Sequence, residues 1–181
     1  MSNTNLKLGR LVKLGLLAAL SIVLVFFIHF PIFPTAKFLE SDPADIPIMI
    51  ATFAFGPWYG LMTTIVVAVV QGLTVSASSG IYGIIMHIIA TGTFVLVAGF
   101  LYQKHKTKKG AMLALLCGVV AWGLIMMPAN LIITPIFTGM PVEAIRGILL
   151  PIILPFNLIK AGINAVVTFL VYKSVSPLLH R

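Results

Sequence analysis

Charge is what this chain has least of. Of its 181 residues only 9% are charged, and four are acidic. A soluble domain carries about 25% charged residues, and none could hide a 60% hydrophobic content from water. Cysteine is reduced to Cys117, inside an apolar run. That excludes an intrachain disulfide framework and a cysteine-built metal site. The chain has no HExxH, no Walker A glycine loop and no pair of intramembrane aspartates. His29, His87 and His105 lack metal-ligand spacing. These absences argue against an enzyme and predict neither a metal nor a cofactor. Transmembrane strands would show a period of two, which the runs lack. Inverted repeats of broken helices, frequent in self-sufficient secondary transporters, are missing too.

What is present is a series of apolar runs with the charges between them. The expected fold is an all-α integral membrane protein, because the bilayer forces the backbone to satisfy itself. The runs are Leu11–Phe30, Ile46–Phe55, Leu61–Val75, Ile81–Tyr102, Ala111–Thr134 and Gly147–Tyr172. Two of them are short for full spans, which need about 20 residues. They read as a hairpin around GPWYG (Gly56–Gly60), with Trp58 and Tyr59 at headgroup depth. The basic N-terminal stretch reads as a retained first span rather than a signal peptide. The prolines Pro128 and Pro135 predict an irregular half-helix, lining a cavity or satisfying itself. Pro135, Gly139 and Pro141 mark the loop before the last span.

Six spans make one bundle and a single domain, residues 1–181, with both termini on one side. Lys7, Arg10, Lys13, Lys104, Lys106, Lys108, Lys109, Lys173 and Arg181 then share that side, nine of twelve basic residues. Glu40, Asp42, Asp45 and Glu143 fall on the other. The positive-inside rule places both termini in the cytoplasm. Basic residues at span edges are orientation signals, so the +8 charge does not predict a nucleic-acid partner.

A few polar residues interrupt the runs. Lys160 lies within the last span, and an ionisable residue inside the membrane is a functional candidate by default. Its bland alternative is snorkelling to the interface. Asn157, three residues earlier, shares its helical face, so an amide and a cation can meet one ligand. Asn164 continues that face, either as part of the same ligand-facing stripe or as a helix–helix hydrogen bond. Asn130 sits between the two prolines. Gln71 and His87 are lone polar residues, either interhelical glue or ligand contacts. Gly15 and Ala19 form a small-xxx-small pair on the first span, suited to close helix approach.

The segment FPIFPTAKFLESDPADIPIMIATFAFGP, followed by LPFNLIKAG, resembles the substrate-binding S components of energy-coupling factor (ECF) vitamin transporters. The riboflavin-binding type is the nearest in pattern. The matching residues are Asp42–Pro47, Gly56-Pro57, and Pro155-Phe156-Asn157 with Lys160. The resemblance implies a six-transmembrane-helix bundle in a bacterial cell membrane, with riboflavin as transported ligand and no cofactor. It implies a pocket near the outer face, capped by the loop after the first span. Asn157, Lys160 and Asn130 are its implied ligand contacts. Phe38 and Phe156 are suited to packing against a planar ring, and Asp45, Gln71 and His87 complete the candidate site. It further implies that Gly15 and Ala19 dock on a transmembrane T component, with two ATP-binding subunits completing the complex. The sequence departs from the family pattern at Val70-Gln71 and at Phe137. Pantothenate, a pyridoxine-like compound or a corrinoid precursor therefore stay open as ligands. A small intramembrane lipid-modifying enzyme is the rival from another class.

Overall fold

The structure is a computed structural model and describes residues 3–33, 36 and 39–179, with side chains from 7 to 176 within that range. Phe38 lies outside the described residues. Helix α1 (Asn3–Phe27) leads into a two-residue strand β1 (Phe30–Pro31), which pairs antiparallel with β2 (Glu40–Ser41). Then follow α2 (Asp45–Phe55), α3 (Pro57–Leu73), a 3₁₀ turn (Ala77–Ser79), α4 (Gly80–Lys104) and α5 (Lys108–Thr138). A short α6 (Val142–Ile148) passes through one π-type turn (Leu149–Ile153) into α7 (Leu154–Leu179).

Four helical stretches are long and apolar enough to cross a membrane: Lys7–Phe27, Ala77–Lys104, Lys108–Thr138 and Val142–Ser176. Helices α2 and α3 are shorter, with 11 and 17 residues. At 1.5 Å per residue α2 reaches about 16 Å, roughly half a hydrocarbon core.

Three sequence expectations change. GPWYG is not a turn: Gly56 alone is the corner, and Pro57 opens α3 directly. Gly56 has φ 110°, which a side chain would resist, and its N–H caps Thr52 O at 2.8 Å. Proline suits the first helical position because that N–H has no partner anyway. Second, α5 runs unbroken through both Pro128 and Pro135. The loop therefore begins only at Gly139, which closes α5 in the left-handed region. Third, the last helical run starts at Val142 rather than Gly147, and the π-type turn absorbs Pro151.

The burial pattern is that of a protein solvated by lipid. Leu11, Leu16, Phe27, Leu116, Leu124 and Leu170 point outward and are exposed. Ser21, Asp45, Thr64, Thr91, Asn130, Asn157 and Thr168 are buried within the bundle. Polar groups have no partner in hydrocarbon, so they turn inward. The core packs Phe94, Trp122, Val67, Ile48 and Met49. Helices α4 and α5 come close where Gly118 leaves room; a Cβ there would lie 2.8 Å from the Phe94 ring.

Candidate functional site

The first turns of α7 carry the site. Asn157, Lys160 and Asn164 recur at intervals of three and four and so share one face. That face meets the segment following β2. The β1–β2 pairing, Phe30 opposite Ser41 and Pro31 opposite Glu40, holds this segment across the helix. Lys160 Nζ donates to Asp42 Oδ2 at 2.9 Å and to the Glu40 carbonyl at 3.1 Å. Lys160 is therefore turned inward and does not snorkel. The Ala44 N–H donates to Asp42 Oδ1 at 3.0 Å, which fixes the carboxylate from the other side.

Behind this pair lies Asp45, 1% exposed. Thr91 Oγ1 donates to its Oδ1 at 2.7 Å, and Asn164 Nδ2 to its Oδ2 at 3.0 Å. Asn164 Nδ2 also donates to the Asp42 carbonyl at 3.1 Å. Of its two expected roles, Asn164 thus takes that of the interhelical hydrogen bond. His87 Nε2 lies 3.3 Å from Asp45 Oδ1 but is not aligned for a hydrogen bond. The cluster ties α2, α4 and α7 together around a buried carboxylate.

In front of it opens a cavity lined by Gln71, His87, Trp122, Asn130, Asn157 and Lys160. Leu39, Glu40 and Asp42 border it on the β2 side, and Tyr82, Phe137 and Phe156 supply further aromatic wall. Asn157 accepts from Trp122 Nε1 at 2.8 Å and donates to the Ile153 carbonyl at 2.8 Å. Asn130 donates to the Met126 carbonyl at 2.8 Å and accepts from Thr134 Oγ1 at 2.9 Å. A carboxamide has two N–H donors and two lone pairs on oxygen. Each asparagine therefore keeps one donor and one acceptor site. Gln71 Nε2 reaches Ser76 Oγ at 3.4 Å, while Gln71 Oε1 and His87 Nε2 are buried without a hydrogen-bond partner. An unpaired polar atom is costly to bury; Gln71 borders the cavity, whereas His87 Nε2 faces Asp45.

The structure thus brings Asn130, Asn157, Lys160, Gln71 and His87 to one cavity. Asp45 lies behind its wall. Gly15 and Ala19 are far from it in role: both are exposed on α1, and a Cβ at Gly15 would meet nothing within 4 Å. Sequence reasoning missed three contributors. Asp42 was legible in one respect, since a lone cation at membrane depth needs a counter-charge. Thr91 and Trp122 gave no signal beyond ordinary core residues. Among the described residues no cluster of three metal-ligating side chains occurs.

An apolar exterior, a polar interior and an aromatic cavity with vacant hydrogen-bonding capacity define a small-molecule-binding membrane protein. Comparison with known proteins narrows the class. Residues 9–172 match the family model described as "ECF transporter, substrate-specific component". This chain belongs to that family. It is 28% identical over 97% of its length to the riboflavin transporter FmnP of Bacillus subtilis (strain 168), covering 96% of that protein. It is 28% identical to the riboflavin transporter RibU of Staphylococcus aureus (strain TCH60), covering 95% of this chain and 93% of the relative. Among solved structures, the S component of a bacterial ECF transporter superposes with a TM-score of 0.81 at 28% identity, covering 95% of this chain and 98% of that one. The biotin S component of an ECF-type ABC transporter shares the fold, with a TM-score of 0.65 at 20% identity over 96% and 95% of the two chains.

Proposed function

We propose that this chain captures riboflavin, or a flavin with the same ring, in the cavity between α4, α5 and α7. It would take the vitamin at the outer face of the bacterial cell membrane and deliver it inward. It would act as one domain, residues 1–181, of six membrane segments with both termini in the cytoplasm. A T component docked on the Gly15–Ala19 face of α1, with two ATP-binding subunits, would supply the energy. The openness of that face supports the docking reading.

One observation carries the ligand assignment. Asn130 and Asn157 each retain one donor and one acceptor, and both border a cavity walled by Trp122, Phe156 and Tyr82. A flavin ring presents an imide N–H between two carbonyls on a flat aromatic body. The amides match its edge and the aromatic side chains its faces. Lys160 has three ammonium donors, two of them engaged, and the third is free for a ring or ribityl oxygen. Gln71 Oε1 would gain a partner among the ribityl hydroxyls. The curated relatives named as riboflavin transporters support the same ligand.

The test is the absorbance spectrum of detergent-purified protein, followed by titration with riboflavin. A flavin spectrum, or saturable quenching of tryptophan fluorescence at nanomolar to low-micromolar riboflavin, is the expected result. No flavin response, with saturable binding of another vitamin in a panel, would overturn the ligand and leave the family standing.

A further inference from the structure

A second cleft lies at the opposite end of the bundle, where the α4–α5 connection meets the far end of α7. It is lined by Lys106, Lys108 and Lys173. Lys173 is thirteen residues beyond Lys160, about 20 Å further along the helix. The four acids are remote from it: Glu40, Asp42 and Asp45 cluster around Lys160 and Asn164, and Glu143 follows the other end of α5. Among the described residues, three ammonium groups thus share one cleft with no side-chain carboxylate lining it. All three are exposed, so water screens much of their mutual repulsion, and an anion held among them would find several donors at once.

The rest of the lining is apolar. Phe53 stacks on Tyr102, with centroids 4.4 Å apart and planes at 25°, and meets Tyr172 edge-on at 5.5 Å. These rings form a fixed floor. Phe169 and Leu170 line the cleft as well, and Leu170 is 66% exposed on the lipid-facing side of α7. A cationic mouth at a helix end joined to an apolar exit toward lipid fits one kind of molecule. It carries a phosphate at one end and a hydrocarbon chain at the other. A free anion would leave the apolar wall unused, and a zwitterionic lipid would bring a choline cation against the three lysines along with its phosphate.

We propose that this cleft is a binding site for a single anionic phospholipid. Its phosphodiester sits among Lys106, Lys108 and Lys173, and one acyl chain lies along Phe169 and Leu170. The three lysines gain charge-assisted hydrogen bonds, as basic pockets between membrane helices do with lipid headgroups.

The experiment is native mass spectrometry of the full-length protein released from nanodiscs of phosphatidylcholine with a minority of phosphatidylglycerol. One retained phosphatidylglycerol per chain is expected for the wild type. Retention should fall at least tenfold in the K106Q/K108Q/K173Q variant and persist in the corresponding triple arginine variant. A K106Q/K108Q pair, changed only at the exposed helix entry, guards against misfolding of the triple variant and should show an intermediate loss. Millimolar inorganic phosphate should not displace the lipid. Equal retention of phosphatidylcholine, unchanged retention in the glutamine variants, or displacement by inorganic phosphate would each overturn the proposal. The last would assign the cleft to a free anion.

Discussion

Lys160 and Asp42, 118 residues apart in sequence, form an ion pair of 2.9 Å, with Asp42 3% and Lys160 14% exposed at the side chain. The pair fastens the segment after β2 to the start of α7, beside the cavity. Removing one partner of a buried pair leaves the other charge uncompensated, which costs about 3–5 kcal/mol. Lys160→Met is therefore expected to lower the melting temperature sharply in detergent. Asp42→Asn with Lys160→Met together should recover much of that loss. Riboflavin affinity should stay low in the double variant, because the cationic contact is gone. A Lys160→Met protein that melts like wild type would show that the pair contributes nothing to folding.

Trp122 and Asn157 couple the aromatic wall to the amide that would meet the proposed ligand. Trp122→Phe keeps a ring in place but removes the donor to Asn157 Oδ1. Loss of one buried hydrogen bond is expected to cost about 1–3 kcal/mol. The freed carboxamide should also rotate and weaken flavin binding. Trp58, by contrast, is 62% exposed and packs on Phe100, away from the cavity lining. Fluorescence titration separates the two. Trp122→Phe should remove the larger share of flavin-induced quenching, and Trp58→Phe the smaller. The reverse order would move the ligand out of this cavity.

The helices were legible because lipid demands apolar runs and the charges punctuate them. The polar face of α7 was legible too: Asn157, Lys160 and Asn164 interrupt an apolar run at helical spacing. Their partners were not. Asp42 reaches Lys160 only because β1 and β2 pair, and two-residue strands leave no alternation to detect. Trp122 reads as one more apolar residue until its N–H is seen donating to Asn157. The expectation at Pro128 and Pro135 held in part. Helix α5 is not interrupted there and continues past both missing N–H groups, but Asn130, Thr134 and Phe137 from this stretch do line the cavity. The two halves of the supposed hairpin meet at Gly56 alone, because proline can start a helix as well as end one.

Gln71 offers a sharper separation of stability from binding. Its Oε1 is buried without a partner beside the cavity. An apolar side chain of similar shape removes this orphaned acceptor and loses only the long 3.4 Å bond to Ser76 Oγ. Gln71→Met is therefore expected to hold or raise the melting temperature of the ligand-free protein by a few degrees. Its riboflavin affinity should fall about tenfold, the equivalent of one hydrogen bond near 1.4 kcal/mol. Melting curves with and without riboflavin read both quantities at once. If affinity is unchanged, Gln71 is interhelical glue and not a ligand contact.

Two glycines make the last comparison. Gly15 is exposed on α1, and an added Cβ would meet nothing within 4 Å. Gly99 is packed, and a Cβ there would fall 2.8 Å from both Pro57 Cβ and Thr52 Cγ2. Gly15→Leu should leave the isolated protein as stable as wild type, or slightly more so, since leucine favours a helix by up to about 1 kcal/mol over glycine. Flavin binding should also be unchanged. Gly99→Leu should destabilise the bundle by about 1–3 kcal/mol through overpacking. The decisive reading is vitamin uptake by cells containing the whole transporter. If the T component docks on this face as proposed, Gly15→Leu is expected to abolish uptake, because a bulky side chain would hold the partner helix away. Normal uptake with Gly15→Leu would mean that the energising subunits dock elsewhere, and the open face of α1 would then be only a lipid contact.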